Sequence, residues 1–178
     1  MFNNLSLDID LSKFLFANYD VHKGSCIVHQ KEELTDIHNL YGGFPIEYNF
    51  DNTAIQQLWW TKDDIDFEYF EKCLNMEVIT ISSILQKPGN VIPLHRDTFY
   101  QINKLFPNDK RKKVRANIYV TDWQMGHIIQ YKNGNVWSAD INWKSGQGLM
   151  WDSSILHLSA NVGFKDKITL QVSGFYNE

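Results

Sequence analysis

Cysteine is scarce in this chain of 178 residues: there are two, Cys26 and Cys73. They form no CxxC pair, and two thiols so far apart do not make a disulfide scaffold. Both read as buried apolar thiols, and a reduced, cytoplasmic compartment is the expectation. No apolar run approaches the roughly 20 residues needed to span a bilayer. The opening Met1-Phe2-Asn3-Asn4-Leu5-Ser6 has neither the basic region nor the long apolar region of a signal peptide. There is no internal repeat, no low-complexity tract and no Pro/Ser-rich linker. Positive charge is not in excess either. The formal net charge of −4 argues against a general nucleic-acid coat, although it leaves room for a local basic groove.

What is present is a foldable composition, 43% apolar and 14% aromatic, long enough to bury a core without staples. One domain is expected, and its character changes near residue 76. Before that point Leu5 to Phe16 reads as an early strand followed by a short helix. Lys31 to Tyr41 carries Leu34, Ile37, His38 and Tyr41 at helical spacing and stops at Gly42-Gly43. Thr61 and Asp64 resemble a capping box ahead of a helix over Asp64 to Leu74. That helix would place Ile65, Tyr69 and Cys73 on one stripe, with Phe67, Phe70 and Leu74 beside it.

From Glu77 onward the signals are almost all strand. Glu77 to Leu85 is β-branched and closed by Lys87-Pro88-Gly89-Asn90, a turn in which proline presets one φ and glycine supplies the next. Then come Val91 to Asp97, a short helix or loop over Thr98 to Phe106, and Val114 to Asp122. Gly126 to Tyr131 and Val136 to Ile141 are joined by Lys132-Asn133-Gly134-Asn135, a strong hairpin signal. Gly148 to Trp151, Leu156 to Asn161 and Lys167 to Phe175 complete about eight short strands, the pattern of a sandwich, jelly roll or barrel. Residues 1–76 are then supporting helices and strands, and 77–178 the β core.

Two of these strands alternate in an informative way. Lys167, Thr169, Gln171 and Ser173 lie opposite Ile168, Leu170 and Val172. Arg115, Asn117, Tyr119 and Thr121 lie opposite Val114, Ala116, Ile118 and Val120. An ordinary half-exposed strand would turn its polar face to water. If the helices cover the outside of the sheet, the apolar faces meet them. The polar faces then look inward onto a site for a polar, anionic ligand.

Val91-Ile92-Pro93-Leu94-His95-Arg96-Asp97 carries a histidine and an aspartate two apart, a spacing that puts both on one side of an extended segment. With His157 downstream they supply two imidazoles and one carboxylate, the ligand set of non-haem Fe(II) sites with open coordination positions. An HxD alone is weak. Its weight comes from order: HxD at the end of a strand after a Pro-Gly turn, a second histidine starting a late strand, and a lysine on the last strand. Arg96, between the two ligands, should point away. His127 reads as structural, Trp59, Trp60 and Trp151 as core or lid packing, and Lys110-Arg111-Lys112-Lys113 as a solvated lead-in to a strand.

In His95-Arg96-Asp97, His157-Leu158-Ser159-Ala160-Asn161-Val162-Gly163 and Lys167-Ile168-Thr169 the sequence resembles the Fe(II)/2-oxoglutarate-dependent oxygenases, whose core is a double-stranded β-helix, or cupin-like jelly roll. The resemblance spans roughly residues 77 to 175. Through Arg115 to Tyr119 and Thr169 to Phe175 it is similar to small prolyl-hydroxylase-like members of the kind found in phages and marine bacteria. The resemblance implies that His95, Asp97 and His157 hold iron, and that Lys167 pairs with the distal carboxylate of 2-oxoglutarate with help from Thr169. Lys165 competes for that role. From the strand alternation, Asn117 and Tyr119 are candidate cosubstrate contacts and Arg115 a candidate substrate or cosubstrate contact, with ordinary solvent or structural hydrogen bonding as the alternative for all three. The implied reaction consumes O2 and 2-oxoglutarate, releases succinate and CO2, and hydroxylates an unactivated C–H bond. The prolyl-hydroxylase-like look points to an amino acid, peptide or protein as substrate, with a nucleobase left as a further alternative. Retention of Asp97 argues against a halogenase. Two other readings stand beside it: a cupin-type metal enzyme that does not use 2-oxoglutarate, and a jelly-roll binding module without metal.

Overall fold

The structure is a computed structural model that describes residues 2–22 and 35–177. Cys26 and the first part of the helix expected over Lys31 to Tyr41 lie outside the described residues. In chain order the elements are β1 (Phe2–Ser6), α1 (Ser12–Leu15), β2 (Asp20–His22), α2 (Thr35–Leu40), α3 (Phe50–Thr53), β3 (Ile55–Trp60), α4 (Phe67–Leu74), β4 (Met76–Gln86), β5 (Val91–His95), α5 (Tyr100–Leu105), β6 (Lys113–Tyr119), β7 (His127–Asn133), β8 (Val136–Asp140), β9 (Gln147–Asp152), β10 (Leu156–Asn161) and β11 (Lys167–Tyr176).

Among the described residues the strands form two antiparallel sheets. The larger runs β1-β9-β6-β11-β4-β3-β2, and the smaller runs β5-β10-β7-β8. The fold is mainly β with a cupin-like jelly-roll core, one of the architectures that strand count and turn punctuation allow and the one the family resemblance implies. Eight strands, β4 to β11, fall in the expected core region. The amino-terminal part contributes more sheet than its sequence suggests, since β1, β2 and β3 extend both edges of the larger sheet.

The alternation in β6 and β11 sorts the two faces as anticipated. Val114, Ala116, Ile118, Ile168, Leu170 and Val172 join Phe14 of α1 and Phe67, Phe70 and Leu74 of α4 in one buried cluster. That cluster is the outer face of the larger sheet under its helices. Truncating a ring such as Phe70 costs about 3–5 kcal/mol in a typical core. An eight-residue helix is therefore held far more by this face than by its own propensity.

Three local expectations need correction. α4 starts at Phe67, with Asp66 as its N-cap accepting from the Tyr69 N–H at 3.1 Å. Asp64 instead closes a separate turn, accepting from the Thr61 N–H and hydroxyl. Because the helix buries the Phe67–Phe70–Leu74 stripe, Cys73 on the neighbouring stripe is exposed rather than buried. Finally, β5 ends at His95, so Asp97 lies just beyond the strand.

One glycine is dictated by sheet packing. The β11–β4 register shifts between Ser173 and Gly174, and a Cβ at Gly174 would sit 1.8 Å from the Glu77 carbonyl oxygen. Only glycine fits there; on the other side of β11 the ladder to β6 runs through unbroken and pairs Ser173 with Arg115.

Candidate metal centre

The two histidines meet because β5 and β10 are antiparallel neighbours with His95 directly opposite His157. Their ring centroids are 4.2 Å apart. Asp97 follows in the loop after β5 and is buried. One ligand atom from each of His95, Asp97 and His157 lies within 4.8 Å of the other two. The structure therefore brings together all three residues expected to hold a metal.

The histidine tautomers suit that role. His95 Nδ1 lies 2.8 Å from the Pro93 carbonyl, and His157 Nδ1 lies 3.0 Å from the Ile155 carbonyl. A carbonyl only accepts, so each Nδ1 carries a proton, and in the neutral ring the lone pair then lies on Nε2. Burial pushes the His157 pKa down, and the Arg115 charge adds to that effect, while Asp97 and the Ile155 carbonyl oppose it. His157 is thus biased toward the neutral form that binds metals.

The carboxylate of Asp97 is held on both oxygens. Arg115 Nη1 pairs with Oδ1, and the Trp151 indole N–H donates to Oδ2 at 2.8 Å. The Trp151 ring also lies 4.5 Å from that of His157. The sequence places Arg115 on substrate or cosubstrate and Trp151 in packing; in the structure both touch Asp97.

Deeper between the sheets, Lys167 is 1% exposed. Its ammonium donates to Ser159 Oγ, to the Ile128 carbonyl at 2.7 Å and to Gln86 Oε1 at 3.3 Å. All three acceptors are neutral. Burial pulls its pKa from 10.5 down to about 7. Lys165 is exposed, and its backbone carbonyl accepts from Asn161 and faces His127 Nε2. Arg96 turns outward to Asp36, as expected of the residue between two ligands.

Asn117, Thr169, Gln171, Gln86, Ser159, Ile84, Trp151, His95 and His157 are among the residues lining a cavity of about 40 Å³ between the two sheets. Asn117 Oδ1 accepts from Gln171 Nε2 at 3.1 Å, while its buried Nδ2 has no partner among the described residues. Tyr119 is turned elsewhere. Its hydroxyl donates to Asp140 Oδ2 at 2.6 Å, and its ring stacks on Trp143. Gln86 and Ser159 escaped the sequence reading. Ser159 carried a signal, since it is two residues after His157 and so on the same strand face.

No family model matches the sequence, and no curated protein matches it. Solved structures do. The fold is similar to a prolyl-4-hydroxylase from Pseudomonas putida, with a TM-score of 0.55 and 14% identity over 94% of this chain and 97% of that one. It is also similar to the viral collagen prolyl hydroxylase of Paramecium Bursaria Chlorella virus-1, solved with 2-oxoglutarate, at a TM-score of 0.51 and 16% identity over 89% and 96%. The non-heme alpha-ketoglutarate-dependent carbocyclase SnoK from nogalamycin biosynthesis gives a TM-score of 0.59 at 9% identity over 98% and 79%. At such identities the likeness is one of fold.

Proposed function

We propose that the chain is an Fe(II)- and 2-oxoglutarate-dependent oxygenase, a hydroxylase of an unactivated C–H bond. The observation that carries the proposal is the cluster of His95, Asp97 and His157, with both imidazoles fixed in the Nδ1–H tautomer. Two nitrogens and one oxygen leave open positions on a divalent iron. Three solved structures of similar fold bear the names of prolyl hydroxylases or an alpha-ketoglutarate-dependent enzyme, which supports the reading.

The surroundings fit a dicarboxylate cosubstrate in donor chemistry. Among the described residues Lys167 is a buried cation whose acceptors are neutral, and Asn117 Nδ2 is a buried donor with none. Thr169 adds a hydroxyl on the same inner face. Gln86 and Ser159 both accept from Lys167 and both line the narrow cavity, so a dicarboxylate tail held by Lys167 would replace them as acceptors. Iron with 2-oxoglutarate would supply the oxidising power from O2, yielding succinate, CO2 and a hydroxylated product. The chain's own contribution is positional. His95, Asp97 and His157 hold the metal, Lys167 holds the tail, and the apolar walls at Ile84, Ile92 and Ile129 exclude water. The substrate we infer is an amino acid or a peptide.

One observation favours a second reading, a cupin-type metal enzyme without 2-oxoglutarate. The cavity is small, and each proton of the Lys167 ammonium already has an acceptor. Turnover separates the two. The Fe(II)-loaded protein, given 2-oxoglutarate and pooled amino acids, peptides and oligonucleotides, should form succinate, with the largest stimulation in an amino-acid or peptide pool. Fe(II) binding with no succinate in any pool favours the second reading.

A further inference from the structure

We propose that Arg115 and Trp151 are positioning residues that orient the carboxylate of Asp97 for the metal. The inference rests on the reading of Asp97 as a metal ligand and goes beyond it, because it assigns work to two residues of the opposite sheet.

The ligands His95 and His157 belong to the smaller sheet, and Asp97 to the loop leaving it. The two donors on Asp97 come from the larger sheet, Arg115 from β6 and Trp151 from β9. They are direct cross-strand partners, so their side chains leave the same face side by side. The same rung continues to Ser173 on one side and Phe2 on the other. Each neighbour on the rung holds one donor still. Ser173 Oγ accepts from Arg115 Nε at 2.9 Å, and Phe2 stacks on Trp151 at 6.4 Å. From the loop side Phe99 places its ring 5.5 Å from the Arg115 guanidinium carbon.

A buried carboxylate with one free torsion can present either oxygen to a metal. Here Oδ1 is committed to a guanidinium and Oδ2 to an indole N–H. Rotation would break two hydrogen bonds in a site where Asp97 is only 3% exposed. The clamp also ties the loop bearing Asp97 to the sheet that faces His95 and His157, so the three ligands keep their relation across the barrel. Partners of metal ligands typically govern affinity by about 10–100-fold.

The test uses W151F, which deletes the indole N–H, and R115Q, which deletes the guanidinium, with R115K to restore the charge alone. Each is titrated anaerobically with Fe(II), and with Co(II) to read the visible ligand-field spectrum. Urea midpoints report folding. We expect W151F and R115Q to weaken Fe(II) binding about 10–100-fold and to alter the Co(II) spectrum, with R115K recovering part of the affinity. Should R115Q fail to fold, W151F and R115K decide alone. Wild-type affinity and an unchanged Co(II) spectrum in folded variants overturn the positioning role and leave the functional reading intact. A wild-type chain that binds neither metal overturns both.

Discussion

His157→Ala abolishes tight Fe(II) binding while the chain stays folded. His157 supplies one of only two imidazoles in the cluster, and its Nε2 lies 4.0 Å from Asp97 Oδ2. Losing a partner of a ligand costs about 10–100-fold in affinity, so losing a ligand costs more than about 100-fold. Folding should survive. His157 sits near the start of β10, and the strand keeps its ladder to β7 through Leu158, Ser159, Ala160 and Asn161. The ring's hydrogen bond is local, from Nδ1 to the Ile155 carbonyl two residues away. Anaerobic Fe(II) titration measures the loss, and near-ultraviolet circular dichroism checks the core. An unchanged affinity removes His157 from the ligand set.

Lys167→Met separates the cosubstrate from the metal. The variant should bind Fe(II) like the wild type and bind 2-oxoglutarate about 10- to 100-fold more weakly. That factor corresponds to the roughly 1.5–3 kcal/mol of a hydrogen bond to a charged group. Equal weakening of both ligands points to misfolding instead. The same substitution carries a pH signature in the ligand-free protein. Lys167 titrates near 7 when folded, against 10.5 as the ordinary value, because burial disfavours its ammonium. Between pH 7 and 10.5 the unfolded chain therefore binds more protons than the folded one. Wild-type stability then rises with pH across that window. Below pH 7 both states are protonated and the contribution is flat. Lys167→Met removes this slope, which urea denaturation at pH 7 and pH 9.5 measures. Identical slopes in the two proteins contradict a buried, depressed lysine.

The fold was legible where chemistry is local. Pro88-Gly89 turns as expected, with Gly89 at φ 90° and the Asn90 N–H bonded to the Lys87 carbonyl at 3.0 Å. The hairpin expected at Lys132 to Asn135 forms, but its loop is Gly134-Asn135, since Asn133 still pairs with Val136 and Gly134 takes the positive φ of 60°. The two-residue alternation in β6 and β11 separated the two faces, and the expectation of helices on the outside assigned the polar one inward. The strand at Ile55–Trp60 was not legible. Trp59 and Trp60 look like packing in isolation, and only pairing with β4 makes them a strand. The helical stripe through Cys73 was misread because two adjacent stripes of α4 are apolar, and only the sheet decides which is buried.

The candidate site divides in the same way. His95, Asp97 and His157 announce themselves by residue type and order. Their partners do not, since Arg115 meets Asp97 across 18 positions and Trp151 across 54. The register that sets Arg115 beside Trp151 is a property of sheet order β9-β6-β11, which nothing in either strand alone records. Lys167 was visible as a cation on an inward parity. That Gln86 and Ser159 occupy its donors depends on β4 and β10 closing around it.

Anaerobic addition of Fe(II) and then 2-oxoglutarate, followed by visible absorption, tests the assignment most directly. A weak charge-transfer band that needs both additions is expected in the wild type, absent in His157→Ala, and shifted to higher 2-oxoglutarate concentration in Lys167→Met. No band at saturating Fe(II) and 2-oxoglutarate contradicts a 2-oxoglutarate-dependent iron centre at His95, Asp97 and His157.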